Sequence, residues 1–168
     1  MSDTQPPSDR NGLNTNTAEH AGNTALSRLP DDRILKSVVA AFFHVYDRPG
    51  YGLLESVYSG ALAIELRRRG HKVAREVSVP VFYEGIQVAQ YTMDFLVDDV
   101  LVLEVKSTEK LTEADRRQLL NYLRCTLFLV GFLLHFGPKP RFHRFTIRES
   151  PHRPQGQAAP CSTCAVVP

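Results

Sequence analysis

The sequence predicts an α/β domain: a mixed β-sheet flanked by helices, in the order ααβββαββ. Three observations lead there. Two segments with helical spacing of apolar residues are followed by a change to a spacing of two. Residues 127–136 form a near-continuous apolar run, as expected of a central strand buried on both faces. Just before that run, Thr112 followed three residues later by Asp115 resembles a capping box opening one more helix.

Taken in order, residues 1–28 are rich in Asn, Thr, Ser, Asp, Pro and Gly, and residues 150–168 in Pro, Gln and Ala. Neither stretch can bury enough apolar surface to offset chain entropy, so both are expected to be disordered tails around a domain at 29–149. Asp31 or Asp32 caps a first helix, whose positions Ile34, Leu35, Val38, Ala41, Phe42 and Val45 keep helical spacing until Asp47-Arg48-Pro49-Gly50 stops it. A second helix starts about Gly52 or Leu53 and carries Leu54, Val57, Tyr58, Ala61, Leu62 and Leu66 on one broad face. It ends in Arg67, Arg68 and Arg69, with Gly70 as the stop.

Val73, Val77, Val79 and Val81 then alternate with polar or small residues, giving a half-buried strand. Glu84-Gly85 turns the chain into a second strand over 86–97, and Asp98-Asp99 turns it again into a third over 100–107. The capped helix runs to about Arg124 and the buried strand follows. Gly137-Pro138 breaks that strand, and residues 141–147 form a last one at an edge.

Composition excludes several classes of protein. A chain of 168 residues, 43% hydrophobic and 23% charged, is one ordinary soluble domain with tails. The net charge of +2 does not by itself announce a nucleic-acid binder. The basic residues do cluster, at 67–72, at Arg116-Arg117 and over 139–148, where they either steer a polyanion or form solvated faces. Three cysteines make no disulfide framework, and Cys161-Ser-Thr-Cys164 lacks the second pair a zinc site needs. Cys125 sits in an apolar stretch, as a small buried hydrophobe would. The start of the chain has no basic and apolar signal segment, and no apolar run approaches the roughly 20 residues of a membrane helix. A soluble, cytoplasmic protein without a membrane partner is expected.

The residues that carry chemistry are acids and a lysine that do not belong on apolar strands. Glu104 and Lys106 are two apart, so on a strand they share a face, while Leu101, Leu103 and Val105 take the other. Such a placement is costly unless the two pair with each other or a cation is bound. Asp94, flanked by Met93, Phe95, Leu96 and Val97, is equally out of place. Asp94 and Glu104 could share one ion, and hard carboxylate oxygens suit Mg²⁺. Register sets a condition. Asp94 lies opposite Glu104 only if the connection has odd length, such as Asp98-Asp99-Val100, or a bulge intervenes. Glu55 sits on the flank of the second helix's apolar face, as a site acid or a solvated one. Gln118 and Tyr122, four apart on the later helix, can reach one target or form its rim.

With these residues located, Gly52-Leu-Leu-Glu55-Ser-Val-Tyr58 resembles the motif that names the GxxExxY family of the PD-(D/E)XK nuclease superfamily. Asp94, then Glu104-Val-Lys106 after a hairpin, is similar to the superfamily's core signature. Gln118-Leu-Leu-Asn-Tyr122 resembles the Gln-x-x-x-Tyr motif of its RecB-like branch. Met93 stands where the superfamily name puts Pro, and Thr92 where related sequences often carry Arg. The resemblance covers roughly residues 30–148.

It implies a restriction-endonuclease-like core and a Mg²⁺-dependent (or Mn²⁺-dependent) nuclease acting on nucleic acid, DNA in particular. Asp94 and Glu104 would hold the ion with the Val105 carbonyl and, directly or through water, Glu55. Lys106 would orient or deprotonate the attacking water or offset transition-state charge. Gln118 and Tyr122 would position substrate, and Arg67, Arg68, Arg69, Arg116 and Arg117 would contact phosphates. Two rivals follow from the same residues: a catalytically silent binding module of nuclease fold, and a structural domain in which Glu104 and Lys106 are only an ion pair. So small a domain could work as a homodimer or within a larger complex.

Overall fold

The Asp31 carboxylate accepts the Arg33 amide at 2.8 Å, so helix α1 (Asp32–Tyr46) opens at one of the two caps the sequence offers. This and all following geometry come from a computed structural model that describes residues 29–148. Both tails, with Cys161 and Cys164, lie outside the described residues. Leu35, Val38, Ala41, Phe42 and Val45 are the buried face of α1, as their spacing predicts.

Helix α2 (Glu55–Arg68) departs from expectation in one respect. It starts later than Gly52 or Leu53, with Leu54 as a cap residue 75% exposed, and Val57 is exposed as well. The buried face is Tyr58, Ser59, Leu62, Ala63, Glu65 and Leu66. The apolar residues straddle the Tyr58–Leu62–Leu66 ridge on both flanks, and only packing decides which flank is covered. The helix ends as predicted. Gly70, at φ 85°, donates to the Arg67 carbonyl at 2.9 Å, and His71 donates to that of Leu66 at 3.1 Å.

Five strands follow in spatial order β1-β2-β3-β4-β5: β1 (Val73–Tyr83), β2 (Ile86–Val97), β3 (Leu101–Lys106), β4 (Val130–His135) and β5 (Arg141–Thr146). Neighbours are antiparallel except β3 and β4, which are parallel. A parallel pair needs a crossover, supplied here by α3 (Glu113–Cys125). The capping box at Thr112 and Asp115 is formed in full. Helices α1 and α2 cover one face of the sheet over Phe95, Leu103, Val105, Phe132 and Leu134. Helix α3 covers the other through Leu119, Tyr122 and Leu123 over Leu96, Val102 and Leu133. Strand β4 is buried along its whole length, as its apolar run demands.

Two glycines, Gly131 on β4 and Gly137 just past its end, allow close approach. A Cβ on Gly131 would come 2.8 Å from the Leu119 side chain of α3. One on Gly137 would run into the ring of His135. Gly137→Ala is expected to cost roughly 1–3 kcal/mol of stability through overpacking, measured by urea unfolding.

Strands β1 and β2 outrun the sheet. Only Phe95, Leu96 and Val97 of β2 pair with β3, while β2 pairs with β1 over its full length down to the Glu84-Gly85 turn. The part from about Val77 to Met93 therefore projects as a two-stranded arm. The row of valines predicted to line one face of β1 is split: Val73 packs on the α1/α2 side, Val77 and Val79 on the α3 side. The switch occurs at Glu76, at φ 53°, where the β1–β2 ladder is interrupted opposite Asp94. Met93 and Phe95 of β2 likewise fall on different sides. A local irregularity of this kind re-aims side chains, and here it lies beside the acids.

Candidate active site

The β2–β3 connection meets the parity condition. Val97 pairs with Leu101 and Phe95 with Leu103, so Asp98, Asp99 and Val100 form a three-residue connection and Asp94 lies opposite Glu104. Asp98 and Asp99 both take positive φ, 51° and 57°. The turn is held by its neighbours. Asp98 accepts the Lys72 amide at 2.8 Å and bonds His71 Nδ1 at 2.7 Å, His71 Nε2 meets Ser37 Oγ at 2.7 Å, and Lys72 Nζ pairs with Asp99 at 2.8 Å. Helix α1, the end of α2 and the sheet thus fix the connection that aligns the acids.

Beyond Phe95 the two strands part. The Asp94 carboxylate accepts the Val105 amide at 2.8 Å, taking the place of a ladder bond. Glu104 is fully buried, and Lys106 Nζ lies 2.7 Å from its Oε1. That contact is close but off-angle, and neither Glu104 oxygen has a partner in hydrogen-bond geometry. Burial, with Asp94 and Glu55 adding repulsion and Lys106 opposing, pushes the Glu104 carboxyl up to about 7. Burial also raises Asp94, against the Val105 amide and the cations Lys106 and Arg75, and Glu76 adds to the rise. Burial alone would lower Lys106, yet Glu104, Glu55 and Asp94 together hold it above the ordinary lysine value. It is a cation here.

Glu55 opens α2 at the same end of β3. Its Oε2 accepts the Ser107 amide at 3.3 Å, and Ser107 Oγ donates to the Leu53 carbonyl at 2.7 Å. Gln118 Nε2 donates to the Tyr122 hydroxyl at 2.7 Å. Burial raises the Tyr122 phenol against the Gln118 bond, and Glu104 and Asp94 add to the rise, which places Tyr122 beside the acids. Arg67 and Arg68 close the other end of α2, about 20 Å of helix from Glu55. Arg69, just beyond, is paired with Glu65 at 2.9 Å. The structure does not bring these three arginines to the acids. Arg116 and Arg117 are on α3, the helix that carries Gln118.

Sequence reading missed four residues around this centre. Glu76 interrupts β1 opposite Asp94. His135 lies beside Lys106 in the β3–β4 register, and Arg141 beside His135 in the β4–β5 register. His135 Nε2 lies 2.6 Å from the Thr108 carbonyl, tying the loop after Lys106 to the sheet. His143 is lowered first by burial and then by Arg116, Arg141 and His135, which all lie near it. The basic cluster at 139–148 hinted at the last two, but only register assigns them to the face of the acids.

Two acids and a lysine thus stand together on adjoining β2 and β3, with a helix on either side, in an α/β fold. A family model described as the PD-(D/E)XK nuclease superfamily matches residues 32–145, more than half the chain. The chain belongs to that superfamily. Neither the curated proteins nor the solved structures gave a match. No helix among the described residues is long and apolar enough to cross a membrane.

Members of this superfamily typically use divalent metals, and the donor set can be tested against one. Among the described residues no three His, Cys, Asp or Glu side chains converge to hold an ion by themselves. Mg²⁺, however, is commonly held by one or two carboxylates, with water and phosphate completing its shell. The unsatisfied oxygens of Glu104, with Asp94 opposite, fit that pattern.

Proposed function

We propose that this protein is a metal-dependent nuclease that hydrolyses phosphodiester bonds in nucleic acid, DNA in particular. One observation carries the reading: Glu104 is fully buried beside a second acid, with no hydrogen-bonded partner and a single counter-charge, Lys106 Nζ 2.7 Å from its Oε1. Two buried acids that share one lysine are costly unless a further cation completes them. Asp94, Glu104 and the Val105 carbonyl, with Glu55 directly or through water, would hold Mg²⁺ or Mn²⁺. The bound ion supplies Lewis-acid polarisation of the scissile phosphate and activation of the attacking water.

Lys106 enters as a cation, which suits it to neutralise charge on the phosphate oxygens in the transition state. That role fits its surroundings better than proton abstraction does, since a general base must be neutral at the working pH. Gln118 and Tyr122, already joined, present an amide and a phenol to the substrate backbone. Arg116 and Arg117 add phosphate contacts, which give affinity without sequence information. Arg67, Arg68 and Arg69, at the far end of α2, could meet phosphates only well away from the reacting one. The GxxExxY motif supports the assignment of Glu55, because its acid opens α2 at the end of β3 that carries Lys106.

The test is incubation of the purified protein with single- and double-stranded DNA and RNA in Mg²⁺, Mn²⁺ or EDTA, beside Lys106→Ala. Metal-dependent cleavage that the variant lacks is expected. No cleavage of any substrate would sink the enzyme assignment and leave a silent binding module. In parallel, Mg²⁺ should raise the melting temperature, since an ion that binds only the folded state stabilises it by about 2.7 kcal/mol at a hundredfold excess over Kd.

A further inference from the structure

The two flanks of the acid pair differ in chemistry. Toward β5 the site face is cationic: Lys106 and Arg141 stand on either side of the buried His135 across three strands, with Arg116 near them. Toward β1 the cation near the acids is Arg75, over the Phe95 ring at the base of the arm. From Val77 to Met93 the projecting arm contains no Lys, Arg or His, and its only charged side chain is Glu84 at the tip turn.

The arm instead presents apolar and aromatic surface. Val77, Val79 and Met93 pack against α3 at its base. Tyr91, opposite Val79 and 36% exposed, continues the same face outward, and its ring lies 6.0 Å from that of Tyr122. Phe82, Tyr83 and Ile86 are exposed near the tip. Tyr91 is thus joined to the centre through Tyr122, a buried residue of α3 whose phenol feels the charges of Glu104 and Asp94.

A phosphate chain is drawn to the β5 flank and gains nothing from the arm. Bases, which are neutral and have π-faces, match the arm. In a duplex those faces are stacked away, so only unpaired nucleotides can use both flanks at once. From this we infer that the site takes single-stranded nucleic acid, with the backbone along Lys106 and Arg141 and a base stacked on Tyr91. The inference rests on the nuclease assignment for the identity of the reacting group, but its binding component can be read without cleavage.

The experiment uses the full chain in EDTA, with a fluorescein-labelled 20-nucleotide single strand and the blunt duplex of the same sequence, followed by anisotropy. The single strand is expected to bind at least about tenfold tighter than the duplex, given the size of base–aromatic stacking. Tyr91→Ala should remove most of that preference, Tyr91→Phe should keep it, and Arg141→Ala should weaken both probes and flatten the salt dependence. Tyr91 is partly exposed, so circular dichroism and melting should show each variant folded. Equal binding of the two probes, or a preference unchanged in Tyr91→Ala, would overturn the inference. So would a dimer, seen by sedimentation, that Tyr83→Ala dissolves without altering the single-strand preference, because the arm would then be a contact between copies. A preference that holds while no substrate is cut would count against the nuclease assignment alone.

Discussion

Replacing Lys106 by alanine is expected to lower the metal-dependent cleavage rate by roughly 10²–10⁴-fold, the range for losing a charge-stabilising or proton-handling group. Lys106 sits at the end of β3 with its ammonium 2.7 Å from Glu104 and its side chain only 15% exposed, so the alanine variant loses packing of the aliphatic stem along with the charge. The loss should fall on kcat more than on KM, because charge on the phosphate oxygens grows toward the transition state. Lys106→Arg restores the charge without the shape. Glu104 loses its compensating cation in the alanine variant, so circular dichroism and a metal titration must accompany the kinetics. An unchanged kcat in a folded, metal-binding variant would remove Lys106 from the chemistry.

Glu104→Gln should act on stability in a direction that separates a metal site from a structural ion pair. Burial, then Asp94, lifts the Glu104 carboxyl from 4.5 to about 7 in the folded protein. The folded state therefore holds this proton more tightly than the unfolded chain does. The associated stability is fully present below pH 4.5 and is lost as pH rises through about 7. At pH 8 the loss is on the order of 3 kcal/mol. Without metal, Glu104→Gln should then melt above the native protein at pH 8, with the gap closing toward pH 5. Asp94, also raised by burial, leaves a residual slope in the variant. Added Mg²⁺ should stabilise the native protein and not the variant. If Glu104 served only to pair with Lys106, the variant would instead melt lower at pH 8, with an unpaired buried cation.

Element order and type were legible in the sequence because each rests on local physics. The cap at Asp31, the Gly70 stop, the Thr112–Asp115 box and the apolar run of β4 all depend on residues close in the chain. The acids were legible for a related reason, since charge on an apolar strand is costly wherever it occurs. Burial within α2 was less so. Leu54 and Val57 are as apolar as Leu62, and their exposure follows from how α2 lies on α1 and the sheet.

For the trio of Asp94, Glu104 and Lys106, then, the sequence by itself determined the residue types, the shared face of Glu104 and Lys106, and the parity the hairpin had to meet. Tertiary structure decided which parity was realised. It did so through the Ser37–His71–Asp98 bonds and the Lys72–Asp99 pair, which join segments up to 61 residues apart. Tertiary structure also decided the reversal of faces at Glu76 and Asp94, the row of Lys106, His135 and Arg141, and the distance of Arg67, Arg68 and Arg69 from the acids. Periodicity reports which way a side chain points along its own strand. It is silent on which strand comes alongside, and the two flanks of this site are made by that choice.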